Sequence, residues 1–267
     1  MALLSEMLEA VNRDGYEGAN ANARVCQDVI LDAIAHSAMN RSLTIKGGVV
    51  MRSISGDARR ATQDMDIDFI RYSLSDESIE RFVRALNEAS RMNIERIGSI
   101  TGLKQQDYHG KRIFLRISDD EGFEIESKVD LGVHKHMDIE QIEYCFDIAN
   151  DEDGASLLIN SAEQMFTEKL RSLLKFGRFS TRYKDIFDMY YLSEAVNLKR
   201  LLQYIDVLII EDSGMRENDL NAIKRRCFSV FENRMFREAL QSSKKNWTDA
   251  ETDEVLLGLR QFINNLR

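Results

Sequence analysis

Acidic and apolar residues alternate strictly over residues 64–69, and such alternation is typical of a half-buried β-strand. Side chains two residues apart point to the same face of a strand. Asp64, Asp66 and Asp68 therefore share one face, and the apolar residues between them face a core. Aspartate is depleted in strands because it favours turns. Three aspartates on one face therefore indicate a function, and divalent metal binding is the obvious candidate.

The same kind of patterning predicts elements on both sides of this acidic strand. Helical spacing of apolar residues predicts a helix over 18–40 and another from about 75 to 91. Short apolar or alternating runs predict strands at 43–45, 113–117, 123–131 and 142–148.

A polar break at 150–154 precedes a C-terminal region in which helical periodicity continues to the end. The helices predicted there span 161–175, 182–195, 198–210, 217–241 and 248–265. The sequence therefore predicts an α+β fold with a mixed sheet in a first domain at 1–150, followed by an α-helical domain at 151–267.

Composition restricts the class of protein further. With 43% hydrophobic and 30% charged residues the chain is typical of globular proteins, and no apolar run approaches the ~20 residues that span a bilayer. The N-terminus lacks the basic and apolar segments of a signal peptide. Three widely spaced cysteines (Cys26, Cys145 and Cys227) indicate reduced thiols, so we expect a cytoplasmic protein without a membrane partner. The net charge of −9 argues against general duplex binding but not against local basic patches.

Candidate chemistry begins with Gly47 and Gly48, which separate a predicted strand from a short predicted helix. Such a turn directs N–H groups at an anion, although many Gly pairs are only tight turns. Asp130 ends a later alternating strand. In two-metal phosphoryl transfer, carboxylates hold the ions and a further one helps to activate the incoming hydroxyl. We therefore expect a Mg²⁺ site; a solvent-facing acidic strand is the alternative.

These residues also resemble a known family. Gly-Gly at 47–48 and Arg-Ala-Thr-Gln-Asp-Met-Asp at 60–66 are similar to the first motif of the AbiEii/AbiGii toxin family, nucleotidyltransferases of the DNA polymerase β superfamily. Residues 166–174 resemble the family's Glu-Lys-Leu-x-x-Leu helix, and residues 182–190 resemble its Arg-x-Lys-Asp-x-x-Asp motif. The matched motifs follow the family's order.

The resemblance implies a polymerase β-like nucleotidyltransferase domain with N-terminal helices, and a helical domain that completes the active-site cleft. It implies that two Mg²⁺ ions are bound by Asp64 and Asp66, with Asp68 as an extra acid on the same face. Asp130 is implied less directly, by the logic of the superfamily, as a third metal ligand and catalytic residue.

The resemblance also implies where an NTP substrate binds and which partners are involved. Lys169 and Asp185 are implied to be catalytic or triphosphate-binding residues of the helical domain, beside Gly47 and Gly48. Arg60 is a further candidate for the triphosphate, with a solvated loop as its alternative role. The family implies a toxin of a toxin–antitoxin or phage-defence pair, an RNA acceptor such as the tRNA 3′ end, and a winged-helix antitoxin.

Other interpretations stay open at this stage. The same site is compatible with transfer to a protein or a small molecule, and a non-catalytic NTP-binding regulator is a third possibility. The basic hairpin around 104–116 is a candidate RNA contact, but a charged exposed hairpin is the commoner case. Lys184 and Asp188 are spaced as a surface ion pair. The basic run at 224–226 is typical of the solvated face of a helix.

Overall fold

The acidic strand lies at the centre of a seven-stranded mixed sheet in the computed structural model, which describes residues 3–105, 108–136 and 138–267. The strands in the described part are β1 (Leu43–Lys46), β2 (Asp64–Ile70), β3 (Asn93–Gln105), β4 (Tyr108–Ser118), β5 (Glu124–His134), β6 (Ile142–Ile148) and β7 (Asp151–Ile159). Their spatial order is β3-β4-β5-β2-β1-β7-β6. The β1–β7 and β2–β5 pairs are parallel and the other pairs are antiparallel, which confirms the predicted mixed sheet.

In the described part of the chain, four helices belong to the same compact unit, which extends to Asn160. They are α1 (Leu4–Arg13), α2 (Gly18–His36), α3 (Gly47–Ser55) and α4 (Asp76–Ala89), with a 3₁₀ turn at Ala58–Arg60. Helix α2 packs on both β5 and β7 and supplies much of the core, because most of its middle residues are buried. The apolar face of β2 is completely buried, as the alternation predicted.

The second compact unit, Ser161–Arg267, is helical. Its helices are α5 (Ala162–Phe176), α6 (Tyr183–Ser193), α7 (Leu198–Ile205), α8 (Leu220–Phe231), α9 (Arg234–Ser242) and α10 (Thr252–Asn265). A 3₁₀ turn at Gly177–Phe179 follows α5, and a π-helical turn at Asp206–Ile210 extends α7. The α+β class with a helical C-terminal unit is therefore confirmed.

Along the chain, the boundary between the units follows Asn160 and not the predicted residue 150. Residues 151–159 form β7 instead of starting the helical region, because Asn150 turns the chain with φ 61° and Ala155, Leu157 and Ile159 alternate toward the core. The predicted helix at 217–241 is also divided. Asn233 accepts a hydrogen bond from the backbone N–H of Phe236 and starts α9 as a new helix.

Candidate active site

Asp66 occupies the centre of the candidate site because β2 lies between β1 and β5. Its backbone is in register with Lys46 on β1 and with Asp130 on β5. The alternation of β2 directs Asp64, Asp66 and Asp68 away from the apolar core. The structure therefore brings the predicted carboxylates to neighbouring positions on one face of the sheet.

Most of these carboxylates are neutralised by a basic neighbour on an adjacent strand. The pairs are Asp64 with Lys128 Nζ at 2.5 Å, Asp68 with Lys46 Nζ at 2.7 Å, and Asp130 with Arg112 through two hydrogen bonds of 2.7 and 2.8 Å. Asp66 differs. Within the described ranges its carboxylate has no hydrogen-bond donor and no ion-pair partner. It is thus the acid of this group best placed to accept a further cation.

The electrostatics of Asp66 agree with its geometry. Burial raises the pKa of its carboxyl to about 6; the charge of Lys46 opposes that rise, and the like charges of Asp130, Asp64 and Asp68 reinforce it. The hydrogen bonds from Arg112 to Asp130 raise the pKa of that guanidinium, so Arg112 keeps its positive charge. A cation beside Asp66 would relieve the repulsion among the acids.

The donor set suits a hard divalent cation, since Mg²⁺ takes carboxylate oxygens and keeps several waters. However, no three His, Cys, Asp or Glu side chains of the described residues converge at metal-binding distance. The ion pairs explain this, because Lys128 and Arg112 hold Asp64 and Asp130. The structure therefore fits a metal centred on Asp66, but it does not preassemble the predicted three-carboxylate ligand set.

Both glycines of the predicted turn are required by close packing. Gly47 has φ +65°, and a Cβ there would lie 2.5 Å from Asp66 Oδ2. A Cβ at Gly48 would lie 2.5 Å from Thr62 Oγ1. Helix α3 starts directly at Gly47 and has no side-chain cap at its N-terminus. Its first N–H groups are therefore available to an anion beside the Asp66 carboxylate.

The two arginines before β2 behave differently from each other. Arg59 forms an ion pair with Asp57 at 2.6 Å and is half-exposed. Arg60, the predicted triphosphate contact, is only 3% exposed, so it is not a residue of a solvated loop. A contact between Arg60 and an NTP stays a prediction.

In the helical unit, the predicted site residues Lys169 and Asp185 form an ion pair with each other. Lys169 Nζ lies 2.9 Å from Asp185 Oδ1 and 2.7 Å from Asp188 Oδ2. Asp188 is fully buried, so it is not the surface residue that its spacing from Lys184 suggested. Its other oxygen accepts a hydrogen bond of 3.0 Å from Trp247 Nε1. Lys169 is thus fixed between two carboxylates, one of them anchored in the core.

Arg171, Tyr190 and Tyr191 of the helical unit have structural contacts. Arg171 is held by Asp212, with Nη2 at 2.5 Å from the carboxylate. Tyr191 packs against Trp247 with ring centroids 5.3 Å apart, and Tyr190 lies against Gly258, so these tyrosines pack rather than stack on bases.

Sequence reasoning missed the residues that restrain the candidate acids. Lys128 stands two positions before Asp130 in an alternating strand, so the alternation alone predicts that both side chains lie on the same face. Arg112 depends on the β4–β5 register, and Trp247 lies 59 residues from Asp188, so no local signal identifies either.

The basic hairpin at 104–116, a candidate RNA contact, is described only in part. Arg112 is bound to Asp130, and Arg116 lies among Glu95, Glu124 and Glu126. Both arginines are therefore committed to carboxylates. The side chains at 104–109 lie outside the described residues.

Comparison with known proteins identifies the family of this chain. The family model described as "Nucleotidyl transferase AbiEii toxin, Type IV TA system" matches residues 29–255. The match covers most of both units, and the chain belongs to this family of nucleotidyltransferases. It is accordingly an enzyme of the nucleotidyltransferase class, from a family of toxins that act in pairs with an antitoxin and use an NTP.

A similar solved structure is that of an antigenic nucleotidyltransferase-like protein from Paracoccidioides brasiliensis. It is 16% identical, with a TM-score of 0.42, over 79% of this chain and 97% of that chain. No curated protein gives a significant match. None of the described helices is long and apolar enough to cross a membrane.

Proposed function

We propose that the protein transfers a nucleoside monophosphate from an NTP to an acceptor hydroxyl in a Mg²⁺-dependent reaction, with RNA, in particular the tRNA 3′ end, as the acceptor. The observation that carries the proposal is the position of Asp66. Its carboxylate makes no ion pair within the described part of the chain and lies where a Cβ on Gly47 would clash with it, and its backbone is in register with Asp130.

Asp64 and Asp66 are the residues proposed to hold the metal ions, with Asp130 as a third ligand. When bound, Mg²⁺ neutralises triphosphate charge and favours departure of pyrophosphate. In the structure, Lys128 is paired with Asp64, and Arg112 is paired with Asp130. When the metal ions bind, these basic side chains must therefore turn away or share the carboxylates. Their charge would then lie close to the incoming triphosphate.

The chain's own residues have distinct tasks in this proposal. The N–H groups at the start of α3 bind triphosphate oxygens. Lys169 is proposed as a further triphosphate-binding residue. The acceptor oxygen attacks the α-phosphorus, the bond to the bridging oxygen breaks, and pyrophosphate leaves. The hydroxyl proton passes to the carboxylate of Asp130 or Asp185.

The test is a transfer assay with purified protein, Mg²⁺, total tRNA and each α-labelled NTP in turn. We expect labelled RNA with one or more NTPs, and Asp66→Ala is expected to lower the rate by at least about 1,000-fold. Asp68→Asn is the matched control, because Asp68 lies on the same strand face and is paired with Lys46. Transfer that survives Asp66→Ala would refute the site.

The same assay separates the other acceptors. Label on protein that resists ribonuclease would replace RNA by a protein acceptor, and label on a small product, released together with pyrophosphate, would point to a small-molecule acceptor. Omitting Mg²⁺, or adding a chelator, is expected to abolish transfer. With Mg²⁺ present, NTP binding without turnover of any NTP would contradict the proposed reaction.

We further propose a cytoplasmic location and a winged-helix protein as the antitoxin. The free thiols of Cys26, Cys145 and Cys227 support a reducing compartment. A neighbouring gene that encodes a winged-helix protein, and whose expression relieves growth inhibition by the toxin, is the expected observation. Relief by an unrelated fold would correct the antitoxin class alone.

A further inference from the structure

A short segment between α5 and α6 differs in charge from the rest of the protein. Residues 175–184 read Lys-Phe-Gly-Arg-Phe-Ser-Thr-Arg-Tyr-Lys, with four basic residues and no acidic one, in a chain whose net charge is −9. Arg178 and Arg182 are exposed. The segment therefore presents a local positive surface directly before the helix that carries Asp185.

Two aromatic rings of this segment face solvent. Phe179 is 72% exposed and Phe176 is 47% exposed, which is unusual for side chains that gain so much from burial. The Arg178 guanidinium lies over the Phe179 ring, 4.9 Å from its centroid. An exposed ring beside a cation has the composition of a platform on which nucleobases stack.

The segment at 175–184 is anchored by contacts with the rest of the helical unit. Ser180 is buried, and its backbone N–H donates to the Gly177 carbonyl at 3.0 Å. Tyr183 packs against Phe236 with centroids 6.2 Å apart. These contacts anchor the segment and leave Phe179 pointing outward between them, so a ligand would meet a preorganised ring.

A further arginine joins the segment from α8. Gly177 has φ +54°, and a Cβ there would lie closer than 3.0 Å to Arg226 Nη2. Arg226 Nε donates to the Leu174 carbonyl at 3.4 Å. The absence of a side chain at Gly177 thus lets a guanidinium lie against the 3₁₀ turn. Arg226 belongs to the basic run at 224–226, so this part of the run is not merely a solvated helix face.

We propose that this segment binds single-stranded RNA, with Phe179 stacking on a base and Arg178, Arg182 and Arg226 contacting phosphates. The inference rests on the proposed RNA acceptor and names the surface that would hold it. A protein partner is disfavoured because the charges have one sign, and a duplex is disfavoured because its bases are already stacked. The proximity in sequence to Asp185 makes this surface suitable for an acceptor strand.

The test measures RNA binding without NTP, so that binding is separated from transfer. A fluorescein-labelled single-stranded RNA of about 12 nucleotides is titrated with the full-length protein, followed by fluorescence anisotropy. Phe179→Ala is expected to raise the Kd roughly 5- to 100-fold, as for the loss of one stacked base. Phe179→Tyr is expected to retain the wild-type Kd, because the ring is kept.

Met235→Ala is the matched control, since Met235 is equally exposed at 72% and lies in the same unit outside the basic segment. It is expected to leave the Kd unchanged. Arg182→Ala is expected to reduce the slope of log K against log salt by about 0.7, the value for one phosphate contact on a single strand. In the transfer assay, Phe179→Ala is expected to raise the RNA KM more than it lowers kcat.

The outcomes are distinct. Equal RNA affinity of wild type and Phe179→Ala, or a Phe179→Ala effect matched by Met235→Ala, would overturn the proposed platform while transfer to RNA stands. Absence of RNA binding by a protein that transfers nucleotides to another acceptor would overturn both the platform and the RNA acceptor, but not the nucleotidyl transfer. A loss of antitoxin binding in Phe179→Ala, with unchanged RNA affinity, would assign the surface to a protein instead.

Discussion

Gly47 and Gly56 have nearly the same backbone conformation, with φ +65° and +63°, yet their surroundings differ. A Cβ at Gly56 meets nothing within 4 Å, whereas a Cβ at Gly47 meets the Asp66 carboxylate. This pair of glycines therefore separates the cost of backbone strain from the cost of displacing the candidate metal ligand.

We predict that Gly56→Ala destabilises the protein by about 1–2 kcal/mol, the cost of placing a side chain in the left-handed region. Gly47→Ala should cost about 1–3 kcal/mol more, because Asp66 must move. Urea unfolding measures both, and the transfer assay should show a loss of kcat in Gly47→Ala alone. Equal stability and activity of the two variants would show that the Asp66 contact does not matter.

For single residues, the sequence placed the candidate acids on one strand face but did not indicate which of them lacks an ion pair. The alternation at 64–69 identified the acidic face, and the resemblance chose Asp64 and Asp66 over Asp68. Their ion pairs depend on strand register, which joins residues far apart in the chain. Asp68 is 5% exposed and bound by Lys46, an arrangement that no local pattern predicts.

At the scale of elements, α5, α6 and the segment around Trp247 meet at a buried charge. Asp188 is bonded to Lys169 and to the Trp247 indole, so the indole N–H helps to hold the carboxylate that positions the lysine. Asp188 is therefore a positioning residue for Lys169.

We predict that Trp247→Phe lowers stability by about 1–3 kcal/mol, because a buried carboxylate oxygen loses its donor. It should also raise the NTP KM by loosening Lys169. Tyr191→Phe is a suitable control, since it keeps the ring that packs on Trp247. If Trp247→Phe is additive with Asp188→Asn in unfolding experiments, the indole and the carboxylate are not coupled.

A second buried carboxyl group connects α2 with α3. Asp28 is completely buried, with Arg24 Nε at 3.0 Å and Arg52 Nη1 at 3.7 Å from its oxygens. Burial raises the pKa of Asp28 to about 7, although the charge of Arg24 opposes this. The folded protein therefore holds a proton on Asp28 that the unfolded chain releases near pH 4.

The sign of the pH effect follows from this difference. Between about pH 4 and 7 the folded state binds more protons than the unfolded state, so this group's contribution to stability falls as pH rises, by up to about 4 kcal/mol. We predict that Asp28→Asn removes that fall in urea unfolding between pH 5 and 8. The same pH profile for Asp28→Asn and wild type would contradict the assignment.

The elements missed by the sequence have physical explanations. The strand β7 begins Asp-Glu-Asp-Gly, which resembles a polar loop, and it enters the sheet by parallel pairing with β1, more than 100 residues earlier. The break between α8 and α9 depends on a single Asn cap within continuous helical periodicity. Long amphipathic segments were predicted correctly because their periodicity is local.

At the scale of the whole molecule, the family motifs are divided between two compact units. Gly47, Asp64 and Asp66 belong to the first unit, and Lys169 and Asp185 to the second. The family model covers residues of both units. We therefore expect substitutions of Asp66 and of Lys169 to slow the same reaction. Kinetic measurements on single and double variants test this expectation.

The corresponding prediction is a lack of additivity. Residues that act in the same chemical step lose most of the rate enhancement when either is removed, and removing both costs little more. We predict that Asp66→Asn and Lys169→Met each lower kcat by at least about 100-fold, and that the double variant is within about tenfold of the slower single variant. Arg171→Met, on the same helix but bound to Asp212, is the control for nonspecific damage to α5. A double variant whose loss equals the product of the single losses would mean that the two units act independently, and Lys169 would then be a structural residue of the helical unit.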